Sequence, residues 1–325
     1  MSDLRTLPKA NLHLHLTGAM RPGTLAELAD RYGLTVPSPI PPGARAWEEF
    51  QTRYDAAREA IRTTEDLRRV VTEAIEDNVA DGCAWLEIQL DPTSYAPLLG
   101  GFEPVVEAAL DGMRAAPCGL IIASSWARSG EHASQLALLA NNYADVVGFG
   151  LSNDERRGKV DDFVDAARIA ADKLRVPHGG FYEGPWHVRE CVEKLGANRI
   201  GHGITAMRDK ETVAFLADRG VALEVCPTSY PPLGVLDFHE LPLRELLDAG
   251  VPVTLGSDDP LLFGAGVTDQ YVIARDAIGL DDTELAAIAR HSIEASAAPA
   301  DLQARTITAI SAWITARGTA ADRSR

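Results

Sequence analysis

The sequence predicts an α/β chain closed into a (β/α)8 TIM barrel with a helical insertion after the first strand. Eight short apolar runs rich in β-formers alternate with amphipathic stretches, and the turn after the first run lacks a glycine-rich loop. Buried parallel strands read as such short continuous runs, because both of their faces are covered. The eight runs are residues 11–16, 85–90, 119–125, 146–151, 174–178, 199–202, 221–226 and 252–256. Between them, helical patterns fall at 102–115, 133–142, 160–173, 187–195, 210–219 and 241–249. Several end at a Gly, the usual helix terminator. An open doubly wound sheet would carry a Gly-rich phosphate turn after its first strand. Here that turn, Leu16-Thr17-Gly18-Ala19-Met20, has one Gly.

About seventy residues separate the first two runs, far more than a simple crossover needs. They hold a proline-rich patch, Pro37, Pro39, Pro41 and Pro42, and helical patterns at 46–62 and 65–81. An insertion after a barrel strand sits over the active-site mouth. Residues 282–317 read as two closing helices and 319–325 as a frayed tail. At about 100–200 residues per domain the length fits one domain or two, and the eightfold alternation makes residues 1–325 one.

With 46% hydrophobic and 24% charged residues, and with apolar stretches broken by Gly, Pro or charge, no segment approaches the ~20 apolar residues of a membrane span. The chain has 31 Lys+Arg against 47 Asp+Glu, a formal charge of −16. Binding to a nucleic-acid backbone needs a cationic surface to displace counterions, so a small-molecule substrate rather than nucleic acid is the expected partner. Cys83, Cys118, Cys191 and Cys226 are scattered, and the start, Met1-Ser2-Asp3-Leu4-Arg5, has no apolar signal core. These features read as reduced thiols in a cytoplasmic protein.

The unusual polar residues fall at the ends of the runs. His13 and His15 lie two apart on the first, so both side chains share a face and can grip one metal ion. His178 ends the fifth run, His202 the sixth, and Asp258-Asp259 follows the eighth. In this fold, catalytic residues come from the C-terminal ends of several strands. A buried histidine alone is ordinary core, and Asp258-Asp259-Pro260 alone is a turn or helix start; their joint placement on one rim is what marks a site. His132, His187, His239 and His291 fall in helices or loops, and no Cys-x-x-Cys is present, so these are read as structural. Three histidines and a carboxylate suit one divalent ion per chain, zinc best, with iron, cobalt and manganese also compatible. Such an ion lowers the pKa of bound water toward about 7 and yields a hydroxide nucleophile.

The stretches Pro8-Lys9-Ala10-Asn11-Leu12-His13-Leu14-His15-Leu16-Thr17-Gly18, His178-Gly179-Gly180, Ile200-Gly201-His202-Gly203, Glu224-Val225-Cys226-Pro227-Thr228-Ser229 and Ser257-Asp258-Asp259-Pro260-Leu261 resemble, in order and spacing, the adenosine deaminase family, which includes adenine and aminodeoxyfutalosine deaminases. The resemblance runs from about residue 6 to about residue 300. It implies a (β/α)8 barrel with zinc held by His13, His15, His178 and Asp258, and a hydroxide oriented by His202 and Asp259.

Several substrate-side positions depart from the family pattern. The family's metal-ligand His is followed by x-Gly-Glu, whose Glu protonates a ring nitrogen, whereas this chain reads His178-Gly179-Gly180-Phe181. Thr17 stands where the family has an Asp that contacts the sugar, beside Gly18. Asn153 stands where a Gly backbone approaches the purine, and Glu87-Ile88-Gln89 near the end of the second run has Gln89 in place of the Arg of the family's Glu-x-Arg pattern. An apolar ring at Phe181 reads as a pocket wall that stacks on a flat substrate. Glu183 is the candidate replacement acid: residues two apart in extended chain share a face, although they are roughly 6–7 Å apart. Thr17, Gly18, Gln89, Asn153, Gly180 and Phe181 are therefore the expected substrate-binding residues, and His202, Asp259 and Glu183 the catalytic ones.

The expected reaction is hydrolytic deamination, or a related hydrolysis, at an amidine-like carbon of a purine-like or other heterocyclic small molecule other than adenosine. Two alternatives stay open. One is metal-dependent hydrolysis, ring opening or rearrangement of a different small molecule that needs no such acid. The other is a zinc-binding pseudoenzyme that holds a nucleoside-like ligand.

Overall fold

The computed structural model describes residues 3–41, 43 and 46–322. Eight parallel strands pair in chain order. They are β1 Lys9–Asn11, β2 Cys83–Leu90, β3 Cys118–Ser125, β4 Val146–Ser152, β5 Leu174–Gly179, β6 Arg199–His202, β7 Ala222–Val225 and β8 Val253–Leu255. A parallel bridge between Leu14 and Asp258 joins the chain beyond β1 to the chain beyond β8, and brings the barrel nearly to closure.

The first run differs most from expectation. Regular pairing stops at Asn11, after a register shift between Lys9 and Ala10. The chain then bonds to both neighbours by turns: Asp258 N donates to His13 O, His15 N to Asp258 O, and Gln89 N to Leu14 O. His13 and His15 are therefore fixed between β2 and β8 by backbone bonds on both sides. The other strands lie within two residues of the expected limits.

Three helices fill the insertion: α1 Pro22–Tyr32, α2 Trp47–Glu59 and α3 Thr64–Ala80. The α1 helix was not anticipated, although it has Pro at its first turn and Gly33 at φ 63 as a left-handed terminator. A reciprocal capping box starts α3, where Asp66 N donates to Thr63 Oγ1 and Thr63 N to Asp66 Oδ2. Pro42 lies outside the described residues.

Elsewhere the expected stretch 160–173 divides into a 3-10 turn, Val160–Phe163, and a short helix, Val164–Ile169. The two closing helices are Asp282–Glu294 and Ala300–Asp322. The second continues through the start of the expected tail, whose remainder, 323–325, lies outside the described residues. No helix among the described residues is long and apolar enough to cross a membrane.

The barrel interior carries charge as well as apolar side chains. Arg199 on β6 is 1% exposed and donates to Glu224 Oε1 on β7 (2.6 Å), to Glu87 on β2 and to the carbonyl of Ala295. Removing one member of such a set would strand the others uncompensated in low dielectric. It ties β2, β6 and β7 to the chain after the penultimate helix, directly beneath the histidine cluster.

Candidate metal and active site

Six side chains converge at the C-terminal ends of the strands. The His13 ring lies 4.7 Å from those of His178 and His202 and 5.1 Å from that of His15, centroid to centroid. Asp258 Oδ1 is 3.5 Å from His13 Nε2 and 3.4 Å from His15 Nε2. Donor atoms of His13, His15 and His178 lie within 4.8 Å of one another, as do those of His15, Asp258 and Asp259. His13 Nε2 and His178 Nε2 are buried without a hydrogen-bond partner. Buried polar atoms of native proteins are nearly always paired, so these orphans fit a set of ligands for a cation.

The backbone holds the site in uncommon conformations. Among the described residues, the non-glycines with positive φ are Asn153 (74°), His202 (68°) and Asp258 (57°). All three stand at strand ends around the cluster, and each costs of order 1–3 kcal/mol that the surrounding packing must offset. Gly18 is required by close approach: a Cβ there would lie 1.8 Å from Asp259 Oδ1. Gly180 has φ +66, and a Cβ on it would meet Val188 Cγ2 at 2.4 Å.

Electrostatics sort five of the six. Burial opposes charge on His13, but the Asp258 and Glu224 carboxylates outweigh it and push its imidazole up to about 10. The position thus attracts a positive charge, whether proton or metal. Burial, together with neighbouring imidazoles, holds His178 well below its ordinary value and His202 at about 3. Both are neutral near pH 7 and have nitrogen lone pairs to offer. Although burial opposes its charge, the His13 and His15 imidazoles beside it hold the Asp258 carboxyl well below the usual carboxylate range, so it stays ionised. Burial and the adjacent Asp258 charge push Asp259 the other way, so it readily holds a proton. Cys226 also reaches the cluster, but burial keeps its thiol protonated and it donates to Glu224 O at 3.7 Å.

A cleft opens over the cluster, the concave setting typical of small-molecule sites. Gln89, Asn153 and Phe181 line it together with His15, His178, His202, Asp258 and Asp259. Phe181 packs 4.5 Å from His202, ring to ring. Both amide atoms of Gln89 are buried without a partner. Thr17, Gly18, Gly180 and Glu183 are not among the lining residues. The Thr17 hydroxyl is occupied by Tyr95 Oη at 2.6 Å, and the Glu183 backbone is tied down at N by Glu155 and at O by Thr205.

Sequence reasoning overlooked three contributors. Glu224, fully buried on an apolar strand, accepts from His13 Nδ1 at 2.7 Å. A lone carboxylate inside Ala222-Leu223-Glu224-Val225 was the available signal. Glu155 lines the cleft and accepts from three successive backbone N–H groups. From α2 the cleft gains Trp47, Phe50, Tyr54 and Arg58, for which only the insertion's position gave a hint.

The adenosine deaminase family model matches residues 8–313. A putative adenosine/adenine deaminase of Streptomyces virginiae is 51% identical over 333 residues, which cover 96% of this chain and 98% of that relative. Among solved structures, an adenine deaminase from Arthrobacter aurescens superposes with a TM-score of 0.86 at 27% identity, covering 95% of this chain and 99% of the other. An amidohydrolase from Burkhoderia ambifaria with bound Zn superposes with a TM-score of 0.85 at 24% identity, covering 98% and 94%.

Proposed function

The chain belongs to the adenosine deaminase family, and from that premise we propose that it is a metal-dependent hydrolase that removes an amino group from an amidine-like carbon of a purine-like or related small heterocycle. The observation that supports this most directly is the convergence of His13, His15, His178 and Asp258 beside His202 and Asp259, at the floor of a cleft with an aromatic wall. Zinc is the ion we assign, because nitrogen and oxygen donors in this number suit it. When bound, such an ion makes water a competent nucleophile near neutral pH.

The protein's own groups then have separable tasks. His202 is neutral and its Nδ1 has no partner, so it can orient an attacking water and stabilise charge that develops on the oxygen. Asp259, with an unpartnered Oδ1 beside the cluster, is placed to take the proton that the water gives up. Phe181 offers a flat apolar wall beside the reacting region, and Gln89 presents a donor and an acceptor to a polar edge of the substrate. The Phe181 ring favours one second reading, hydrolysis or ring opening of a small molecule whose nitrogen needs no proton from that side. A pure binding module would need neither His202 nor Asp259 in these positions.

Elemental analysis tests the metal assignment. Wild type should carry about one divalent ion per chain, and the double variant His13→Ala/His178→Ala should lose it, since four ligands are reduced to two. Equal metal content in both would reject the assignment.

A further inference from the structure

Addition of water to an amidine-like carbon pushes an electron pair onto the neighbouring nitrogen, which must receive a proton. His202 and Asp259 are committed to the water, and Phe181 has no proton to give. The described residues that line the cleft include three further carboxylates, Asp91, Asp154 and Glu155. Asp91 Oδ1 caps the turn after β2 by accepting from Thr93 N, and Asp154 is paired with Arg156 at 2.8 Å.

Glu155 differs from both. It is 2% exposed and sits in the turn that follows β4. One oxygen, Oε1, accepts from the backbone N–H groups of Phe181 (2.7 Å), Tyr182 (2.8 Å) and Glu183 (2.8 Å). That nest fixes the carboxyl group against the loop after β5 that carries Phe181. Among the described residues no hydrogen bond engages Oε2, while the side chain forms part of the cleft wall. A carboxyl group held rigidly by one oxygen, with the other free toward a cleft, is arranged to carry a proton on the free oxygen.

We propose that Glu155 is the proton donor of this site, delivering its Oε2 proton to the substrate nitrogen. The proposal rests on the deaminase reading above. In the step, the water oxygen bonds to the amidine-like carbon, the C=N electron pair moves to the ring nitrogen, and the Glu155 proton bonds to that nitrogen. The C–N bond to the amino group then breaks, and its electron pair leaves with the departing nitrogen. That nitrogen takes the proton of the newly added hydroxyl and departs as ammonia. The other proton of the water, held at Asp259, returns to Glu155 through solvent in the cleft. One water is consumed and one ammonia released.

Burial agrees with this role, since it outweighs the three N–H bonds and pushes the Glu155 carboxyl up to about 7. The titratable and charged groups facing it are Asp154 and Arg156 on its own turn, Tyr182 and Glu183 on the loop after β5, and Cys191 on the helix Pro185–Leu195. Asp154 reinforces the upward shift, Arg156 is held by Asp154, and Cys191 is a neutral thiol.

The test is Glu155→Gln, which keeps an oxygen for the three N–H groups but cannot release a proton. Ammonia release from an amino-substituted heterocycle that wild type turns over should fall by roughly 10²–10⁴-fold in kcat, the usual worth of general acid help. KM, melting temperature and metal content should stay unchanged, and the decline of wild-type kcat above about pH 7 should disappear. Near-wild-type kcat in a folded variant overturns the proposal. So does loss of activity accompanied by a lower melting temperature or lost metal, which is what a purely structural anchor would give. Infrared difference spectra of the metal-loaded protein across the same pH range give a second reading, independent of turnover. A carboxylic acid band that titrates in wild type and is absent from Glu155→Gln supports the proposal, and identical spectra overturn it. If wild type releases ammonia from no heterocycle tested, the functional reading fails, and the infrared result still decides whether Glu155 holds a proton.

Discussion

His13 Nδ1 lies 2.7 Å from Glu224 Oε2, with both side chains fully buried. The contact makes Nδ1 the donor and leaves Nε2, unpartnered within the protein, aimed at the cluster. Arg199 in turn holds Glu224 Oε1 at 2.6 Å, so the imidazole is oriented by a carboxylate that is itself compensated. Carboxylates behind metal-bound histidines fix the tautomer and raise ligand basicity, and removing them typically costs 10–100-fold in metal affinity. Glu224→Gln should weaken metal binding by about that factor in a competition titration with a chelator, with the ligands untouched. Unchanged affinity would mean that Glu224 serves only the Arg199 ion set.

A glycine sets the position of Asp259. The Cβ of Gly18→Ala would fall 1.8 Å from Asp259 Oδ1, so the carboxylate must move. A misplacement of 1 Å near a reacting centre can cost about 10²-fold. We expect kcat to fall on that scale while metal content is kept, measured by steady-state kinetics and elemental analysis on one preparation. A variant with wild-type kcat would show that the placement of Asp259 is not limiting.

Away from the site, His187 gives a stability signature. Burial holds its imidazole down to about 4, so the folded state resists protonation there. The unfolded chain binds this proton first, near its ordinary value of 6.5. The contribution is therefore fully present above about pH 6.5 and lost as pH falls toward 4, by about 3 kcal/mol at most. Denaturant titrations at pH 7 and pH 5 should show that His187→Gln loses less stability between them than wild type does. Equal losses would rule out His187 as a source of acid sensitivity.

The altered pocket predicts poor turnover of adenosine. Phe181→Glu should raise it by no more than the 10²–10⁴-fold of a general acid, because Asn153 and Gln89 line the cleft and the Thr17 hydroxyl is engaged by Tyr95. Glu183→Gln should leave turnover unchanged, since Glu183 is not among the lining residues. Efficient adenosine turnover by wild type, or a collapse in Glu183→Gln, would contradict this reading of the pocket.

Much of the architecture was legible because local physics and tertiary role agree in it. A buried parallel strand needs a continuous apolar run, so β6 was placed at its observed limits, 199–202, and the chemistry at its end, His202, followed from the strand itself. The first strand was misjudged because residues 12–16 alternate between two neighbours, a relation that sequence periodicity does not encode. The α1 helix was missed although Pro22 and Gly33 punctuate it, since its apolar face is short. Glu183 was chosen as the spare acid from spacing along the chain. Glu155, the donor proposed above, lies at a different strand end and reaches the same loop through its side chain, a contact that only the fold brings about.

The most direct test of the account is ammonia release by metal-loaded protein from a panel of amino-substituted heterocycles, including adenine, adenosine and other purine-like compounds, with His13→Ala as the control. The account predicts catalytic ammonia release from at least one member, poor release from adenosine, and none above background from the control. Ammonia release by His13→Ala equal to that of wild type, or none from any compound with the metal bound, would contradict it.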